Sequence, residues 1–152
     1  MTPEERLKEL GIDLPETSKP LGAYVPAVKT GNLLFLSGIL PMKEGKLQRT
    51  GIVGGNISLA EAQEDSRTAA INAISVLKAQ VGDLTNVLRC VKVTGYVASA
   101  PDFTEQPKVI NAASELLFEV FGEQGRHARA AVGVSVLPLG SPVEIEFIFE
   151  VM

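Results

Sequence analysis

The 152-residue chain has one cysteine, Cys90, one histidine, His127, and no tryptophan. A lone cysteine cannot close an internal disulfide. One histidine and one cysteine, without Cys-x-x-Cys or His-x-x-x-His spacing, exclude a closed His/Cys metal centre and leave only a carboxylate site as a metal option. There is no basic run and no basic patch interleaved with aromatics: 14 Lys and Arg stand against 18 Asp and Glu, for a net charge of -4. That balance gives no electrostatic reason to expect a phosphate backbone, so nucleic acid is disfavoured as a partner. No apolar run is long enough to span a bilayer, and the acidic start Met1-Thr2-Pro3-Glu4-Glu5-Arg6 lacks the positive flank of a signal peptide. The expectation is a cytoplasmic protein without a membrane partner.

What is present suffices for a core. Hydrophobic residues make up 45% of the chain, and no repeat, low-complexity stretch or long linker divides it, so residues 1–152 read as one domain. Thr2-Pro3-Glu4-Glu5 combines an N-cap, a first-turn proline and a capping-box glutamate, which predicts a helical extension over residues 1–11. Tyr24 to Lys29 and Leu33 to Ser37 flank a Thr30-Gly31-Asn32 turn and read as a hairpin, followed by a glycine-rich loop from Lys43 to Asn56. Ser58-Leu59-Ala60-Glu61 opens a helix of about six turns, with alanines on one side and Glu61, Asp65, Thr68 and Asn72 on the other. Val87 to Ala98 is β-rich, and Thr104 to Phe121 predicts a second helix if Pro107 lies in its first turn. Arg129 to Leu137 and Val143 to Val151 are closing strands. The sequence pattern predicts an α+β fold, two helices packed on one face of a mixed sheet.

Arg129 is the one charge in an otherwise uncharged strand, and a buried guanidinium needs a compensating anion. Alternation places Arg129, Ala131, Gly133 and Ser135 on one face and Ala130, Val132, Val134 and Val136 on the other. If the two last strands pair as a hairpin, Arg129 and Glu144 share a polar face with Gly133, Ser135 and Glu146. That face is too mixed for a monomer core and too sparsely charged for free solvation, which suggests association through it. Taken alone, an Arg129–Glu144 pair across strands is more often a structural ion pair than a catalytic one.

Five segments, in order, resemble the RidA/YjgF family of enamine/imine deaminases. They are Gly22-Ala23-Tyr24-Val25-Pro26-Ala27-Val28 with Gly31-Asn32; Leu36-Ser37-Gly38-Ile39-Leu40-Pro41; Val91-Lys92-Val93-Thr94 through Pro101-Asp102-Phe103; Val109-Ile110-Asn111; and Ala128-Arg129 through Val143-Glu144-Ile145-Glu146. The resemblance implies a chorismate-mutase-like α+β fold, a homotrimer with clefts between subunits, and hydrolysis of 2-imino or 2-enamino acids to 2-keto acids and ammonia. It implies no metal and no organic cofactor. In the matching positions Arg129 would grip the substrate carboxylate. Glu144 would hold the attacking water or pass a proton to the departing ammonia. Tyr24, Ser37, Gly38 and Asn111 would line the substrate.

Three departures mark a divergent subgroup. Ala131 stands where the family often has a cysteine, Val25-Pro26 and Ile39 replace polar residues at the cleft mouth, and the N-terminal helix and a longer Pro101–Asn111 stretch are added. His127, at the strand entrance, reads as a loop or interface histidine, and Cys90 as a small core residue. A noncatalytic trimer that binds small carboxylates or keto acids is the main rival reading. An endoribonuclease follows only from labels given to relatives, and the acidic composition weighs against it.

Overall fold

The computed structural model describes residues 1–17 and 22–152. Helix α1 spans Pro3–Glu9, α2 Leu59–Val81 and α3 Gln106–Phe121. The strands are β1 Ala27–Thr30, β2 Leu33–Leu36, β3 Met42–Lys43, β4 Lys46–Leu47, β5 Val87–Ala98, β6 Ala128–Val134 and β7 Val143–Val151. The starts of α1 and α2 are those the sequence marks, while α3 begins two residues after the expected Thr104. Thr2 Oγ1 accepts from the Glu5 amide at 3.1 Å while Glu5 Oε2 accepts from the Thr2 amide at 2.8 Å. Ser58 and Glu61 repeat the reciprocal pair at 3.1 and 2.9 Å; such a cap stabilises a helix by about 1 kcal/mol. Pro107 sits in the first turn of α3, where its missing N–H costs nothing.

The main sheet has the order β1-β2-β7-β5-β6, antiparallel except for the β5–β6 pair, and β3 and β4 form a separate small hairpin in the expected loop. The last two strands therefore do not form a hairpin: β5 lies between them. The β6–β7 connector crosses over β5, and β6 becomes an edge strand, parallel to β5, next to α3.

Helices α2 and α3 cover one face. Val143, Ile145, Phe147 and Phe149 of β7, with Val93 and Val97 of β5, point into that layer and are buried against Ala69, Ala73, Leu77, Ile110, Leu116 and Leu117 in one contiguous cluster. Gly95 permits the close approach of α3: a Cβ there would lie 2.4 Å from Ile110 Cδ1. The polar stripe expected on α2 is exposed at Glu61 but covered at Asp65, Thr68 and Asn72. Asp65 is 2% exposed and meets Arg49 Nη1 at 3.0 Å, while Asn72 Nδ2 donates to the Leu40 and Met42 carbonyls at 3.1 and 2.9 Å. The 40–50 segment covers this side of the helix and supplies its polar partners.

Residues 1–17 are strapped across the helical layer. Leu7 is buried, Glu4 accepts from Lys78 Nζ at 3.0 Å and from the Leu84 amide at 2.7 Å, and Ser75 Oγ donates to the Pro15 carbonyl. The opposite face of the sheet is open. Val28, Phe35 and Val132 remain 39–54% exposed there, alongside Tyr96, Glu144, Glu146 and Ile148. Among the described residues no helix is long and apolar enough to cross a membrane.

Candidate active site

On β6 the register sets Arg129 opposite Val93, which in turn lies opposite Phe147; all three point to the helical layer. Glu144 lies opposite Tyr96, which lies opposite Val132, so these side chains share the open face. Within one chain Arg129 and Glu144 are consequently on opposite faces with a strand between them. This corrects the expected shared face: Arg129 and Gly133 face α3, and Glu144 and Glu146 do not. The alternation was right, but the inward face of β6 carries the small residues because α3 packs close to it. A Cβ at Gly133 would lie 2.8 Å from Gln106 Nε2 of α3.

Arg129 has no carboxylate partner among the described residues. Its Nη1 donates to Asn111 Oδ1 at 2.8 Å and to Ser114 Oγ at 3.2 Å, both from successive turns of α3. Ser114 Oγ also lies 2.9 Å from His127 Nε2, and His127 Nδ1 lies 2.6 Å from the Gly125 carbonyl. Burial holds the imidazole pKa below its ordinary value, outweighing the Gly125 hydrogen bond, and the Arg129 charge acts in the same direction as burial. These residues line an open cleft of about 640 Å³ with Glu115, Phe118, Glu119 and Arg126. Asn111 is thus joined to Arg129 as a polar group off the apolar stripe. Ser114 carries no sequence pattern and His127 reads from sequence only as a loop or interface histidine; the packing of α3 on β6 unites them.

The second cluster forms where β2 runs out beside β7. Ile39 and Ile145 exchange backbone hydrogen bonds at 2.8 and 3.0 Å, pinning the Ser37-Gly38 segment next to Glu144. A Cβ at Gly38 would lie 2.6 Å from Glu144 Oε2, so glycine leaves the space that the carboxylate occupies. Burial, then the neighbouring Glu146 charge, pushes the Glu144 pKa above the ordinary carboxylate value. Tyr96 Oη donates to Glu146 Oε1 at 2.5 Å, which raises the tyrosine pKa and keeps its proton in place. The Ser37 hydroxyl donates to the Val25 carbonyl at 2.6 Å and its amide to Pro26 at 2.9 Å, tying down the segment that carries Tyr24. Tyr24 is exposed and lines a cavity of about 560 Å³ with Pro26, Ser37, Gly38 and Ile39, and Pro15, Glu16 and Thr17 of the N-terminal segment complete its wall.

The structure therefore gathers the expected residues into two groups, Arg129 with Asn111 and Glu144 with Gly38, Ser37 and Tyr24 nearby. Ala131, between Arg129 and Gly133 on the inward face, packs against the core. Cys90 is fully buried, with its pKa pushed up to about 12 by burial. Among the described residues no three His, Cys, Asp or Glu side chains are grouped to hold a metal ion.

Comparison with known proteins places this arrangement. Residues 4–151 match the family described as "YjgF/chorismate_mutase-like, putative endoribonuclease". Protein TCP17 of Trypanosoma cruzi is 43% identical over 145 residues, covering 95% of this chain and 91% of that one. The crystal structure of Atu1372 from Agrobacterium tumefaciens, a protein of unknown function, superposes with a TM-score of 0.92 at 48% identity, covering 99% and 92% of the two chains. The human 2-iminobutanoate/2-iminopropanoate deaminase is 32% identical over 126 residues, 83% of this chain and 78% of its own. With the α+β sheet order and the helical layer in agreement, the chain belongs to the YjgF/RidA family.

Proposed function

We propose that this protein hydrolyses 2-imino and 2-enamino acids to 2-keto acids and ammonia, in clefts formed between copies of a homotrimer. The observation that carries the reading is Arg129: its guanidinium is oriented by neutral acceptors and left without a counter-anion. A half-exposed cation held in that way is a receptor for an external carboxylate. Nη1 is occupied by Asn111 and Ser114, which leaves the Nη2 and Nε edge for a bidentate carboxylate.

In the proposed reaction water adds to the carbon of the protonated imine, one of its protons passing to Glu144, to give a carbinolamine. Glu144 returns that proton to nitrogen, the C–N bond breaks, and the hydroxyl proton passes to the departing ammonia as the keto group forms. The raised Glu144 pKa suits a group that must both take and give a proton near neutrality. Ser37, Gly38 and Tyr24 would line the substrate on the Glu144 side, and Asn111 on the Arg129 side. Imine hydrolysis is a net addition of water and calls for no redox or group-carrying cofactor.

Two features support clefts between copies. Arg129 and Glu144 of one chain face away from each other across the sheet, and the open face exposes Val28, Phe35 and Val132 beside Glu144. Relatives named as 2-iminobutanoate/2-iminopropanoate deaminases support the reaction class.

The test is ammonia and keto-acid release from imines generated by an amino-acid oxidase, at wild type and Arg129→Ala. A rate loss of about a hundredfold or more is expected on removal of the clamp. Equal rates would refute the assignment. Keto-acid binding that depends on Arg129, with no acceleration of imine decay, would instead identify a carboxylate-binding sensor.

A further inference from the structure

Two side chains next to Arg129, Ser114 and His127, have no part in the reaction above, yet they complete a chain of hydrogen bonds that starts at a backbone carbonyl. The Gly125 carbonyl can only accept, so His127 Nδ1, 2.6 Å away, carries the ring proton. The neutral ring then offers a bare Nε2, and the Ser114 hydroxyl at 2.9 Å is its donor. With its one proton committed to His127, Ser114 Oγ can only accept from Arg129 Nη1 at 3.2 Å. The other Nη1 proton goes to Asn111 Oδ1 at 2.8 Å. Both hydrogens of that nitrogen are thereby used, and the opposite edge of the guanidinium is turned outward.

We propose that Ser114 and His127 are positioning residues for the Arg129 clamp: His127 holds the Ser114 hydroxyl, and Ser114 Oγ with Asn111 Oδ1 fixes Nη1. The inference rests on Arg129 binding carboxylates, as proposed above.

The charged groups around the ring come from every neighbouring element. On α3 these are Glu115 and Glu119, the latter paired with Arg67 at 3.3 Å. The segment entering β6 brings Arg126, paired with Glu123 at 3.0 Å, β6 brings Arg129, and β5 brings Arg89, whose Nη2 donates to the Arg126 carbonyl at 3.4 Å. Burial opposes an imidazolium most strongly and the guanidinium groups act with it, while the carboxylates and the Gly125 carbonyl favour it; the net effect holds the His127 pKa below its ordinary value.

The test is calorimetric titration of the intact protein with 2-oxobutanoate at about pH 7.5, where its carboxylate is ionised. Ser114→Ala and His127→Leu should each weaken binding by about tenfold, the equivalent of one charge-assisted hydrogen bond. In imine hydrolysis the loss should fall on KM rather than kcat. His127→Gln retains an acceptor for Ser114 and should recover part of the affinity lost in His127→Leu. Unchanged affinity in folded Ser114→Ala and His127→Leu overturns the inference. Arg129→Ala separates the two levels. If it loses binding while Ser114→Ala does not, the positioning role alone fails; if it binds as wild type does, the carboxylate reading fails and takes this inference with it.

Discussion

Arg129→Ala and Glu144→Ala proteins, unfolded together in equal amounts and refolded as a mixture, should recover imine hydrolysis that neither has alone. The expectation follows from the register: Val93 and Phe147 fix Arg129 on the helical face, while Tyr96 fixes Glu144 on the open face. A working cleft then takes an intact glutamate from one copy and an intact arginine from the next. With random assembly each is present half the time, so about one quarter of the clefts are wild type, whatever the number of subunits in the closed ring. Each variant alone should retain about one hundredth of the activity or less, so the recovery stands well above background. Ammonia release, normalised to wild type carried through the same refolding, gives the readout, and co-purification through a tag on one variant verifies mixed assemblies. Mixed assemblies with activity no greater than the mean of the two variants would refute the shared cleft.

Gly38→Ala tests the position of Glu144. The new Cβ would meet Oε2 at 2.6 Å, a side-chain atom rather than backbone. Stability by urea denaturation should change by less than about 1 kcal/mol, while kcat falls on the order of a hundredfold from a displacement of about an ångström. Glu144 must be ionised to accept a proton from water, so kcat should decline as pH falls through a pKa above the ordinary carboxylate value. Glu146→Gln removes the like charge and should move that decline to lower pH. Arg49→Ala leaves Asp65 buried without its cation and should cost about 3 kcal/mol in urea denaturation. Burial holds the folded-state Asp65 pKa above its ordinary value, and loss of Arg49 raises it further. A raised carboxyl pKa gives stability that is lost as pH rises, so the deficit should grow between about pH 4 and about pH 7. Cys90 should resist disulfide reagents in the native protein and react only on unfolding, because its thiol is buried with a pKa of about 12. Labelling of the folded protein at the rate of an exposed thiol would contradict that burial.

Local signals account for what could be read in advance. The caps at Thr2 and Ser58, the stop at Gly122 and the odd-numbered apolar positions of β7 each depend on residues within a turn or two of one another. Arg129 stands out alone as the one charge of its strand, whereas Tyr24, Ser37, Gly38, Asn111 and Glu144 are named because ordered segments resemble a family. The α2 stripe of Asp65, Thr68 and Asn72 misleads for a related reason: polarity alone does not distinguish solvent from a covering loop, and Arg49 with the Leu40 and Met42 carbonyls satisfies it inside.

By itself the amino-acid sequence determined which residues alternate along β6 and β7 and where α1 and α2 begin. Which face of β6 turns inward was decided only by tertiary structure. Period-two alternation defines two faces, but the neighbour chooses between them: α3 packs on the face of Arg129, Ala131 and Gly133, with Gln106 close over Gly133, and Val132 is left on the open face. Strand order was likewise nonlocal. The insertion of β5 between β6 and β7 separates Arg129 from Glu144, leaving the guanidinium to Asn111 and Ser114.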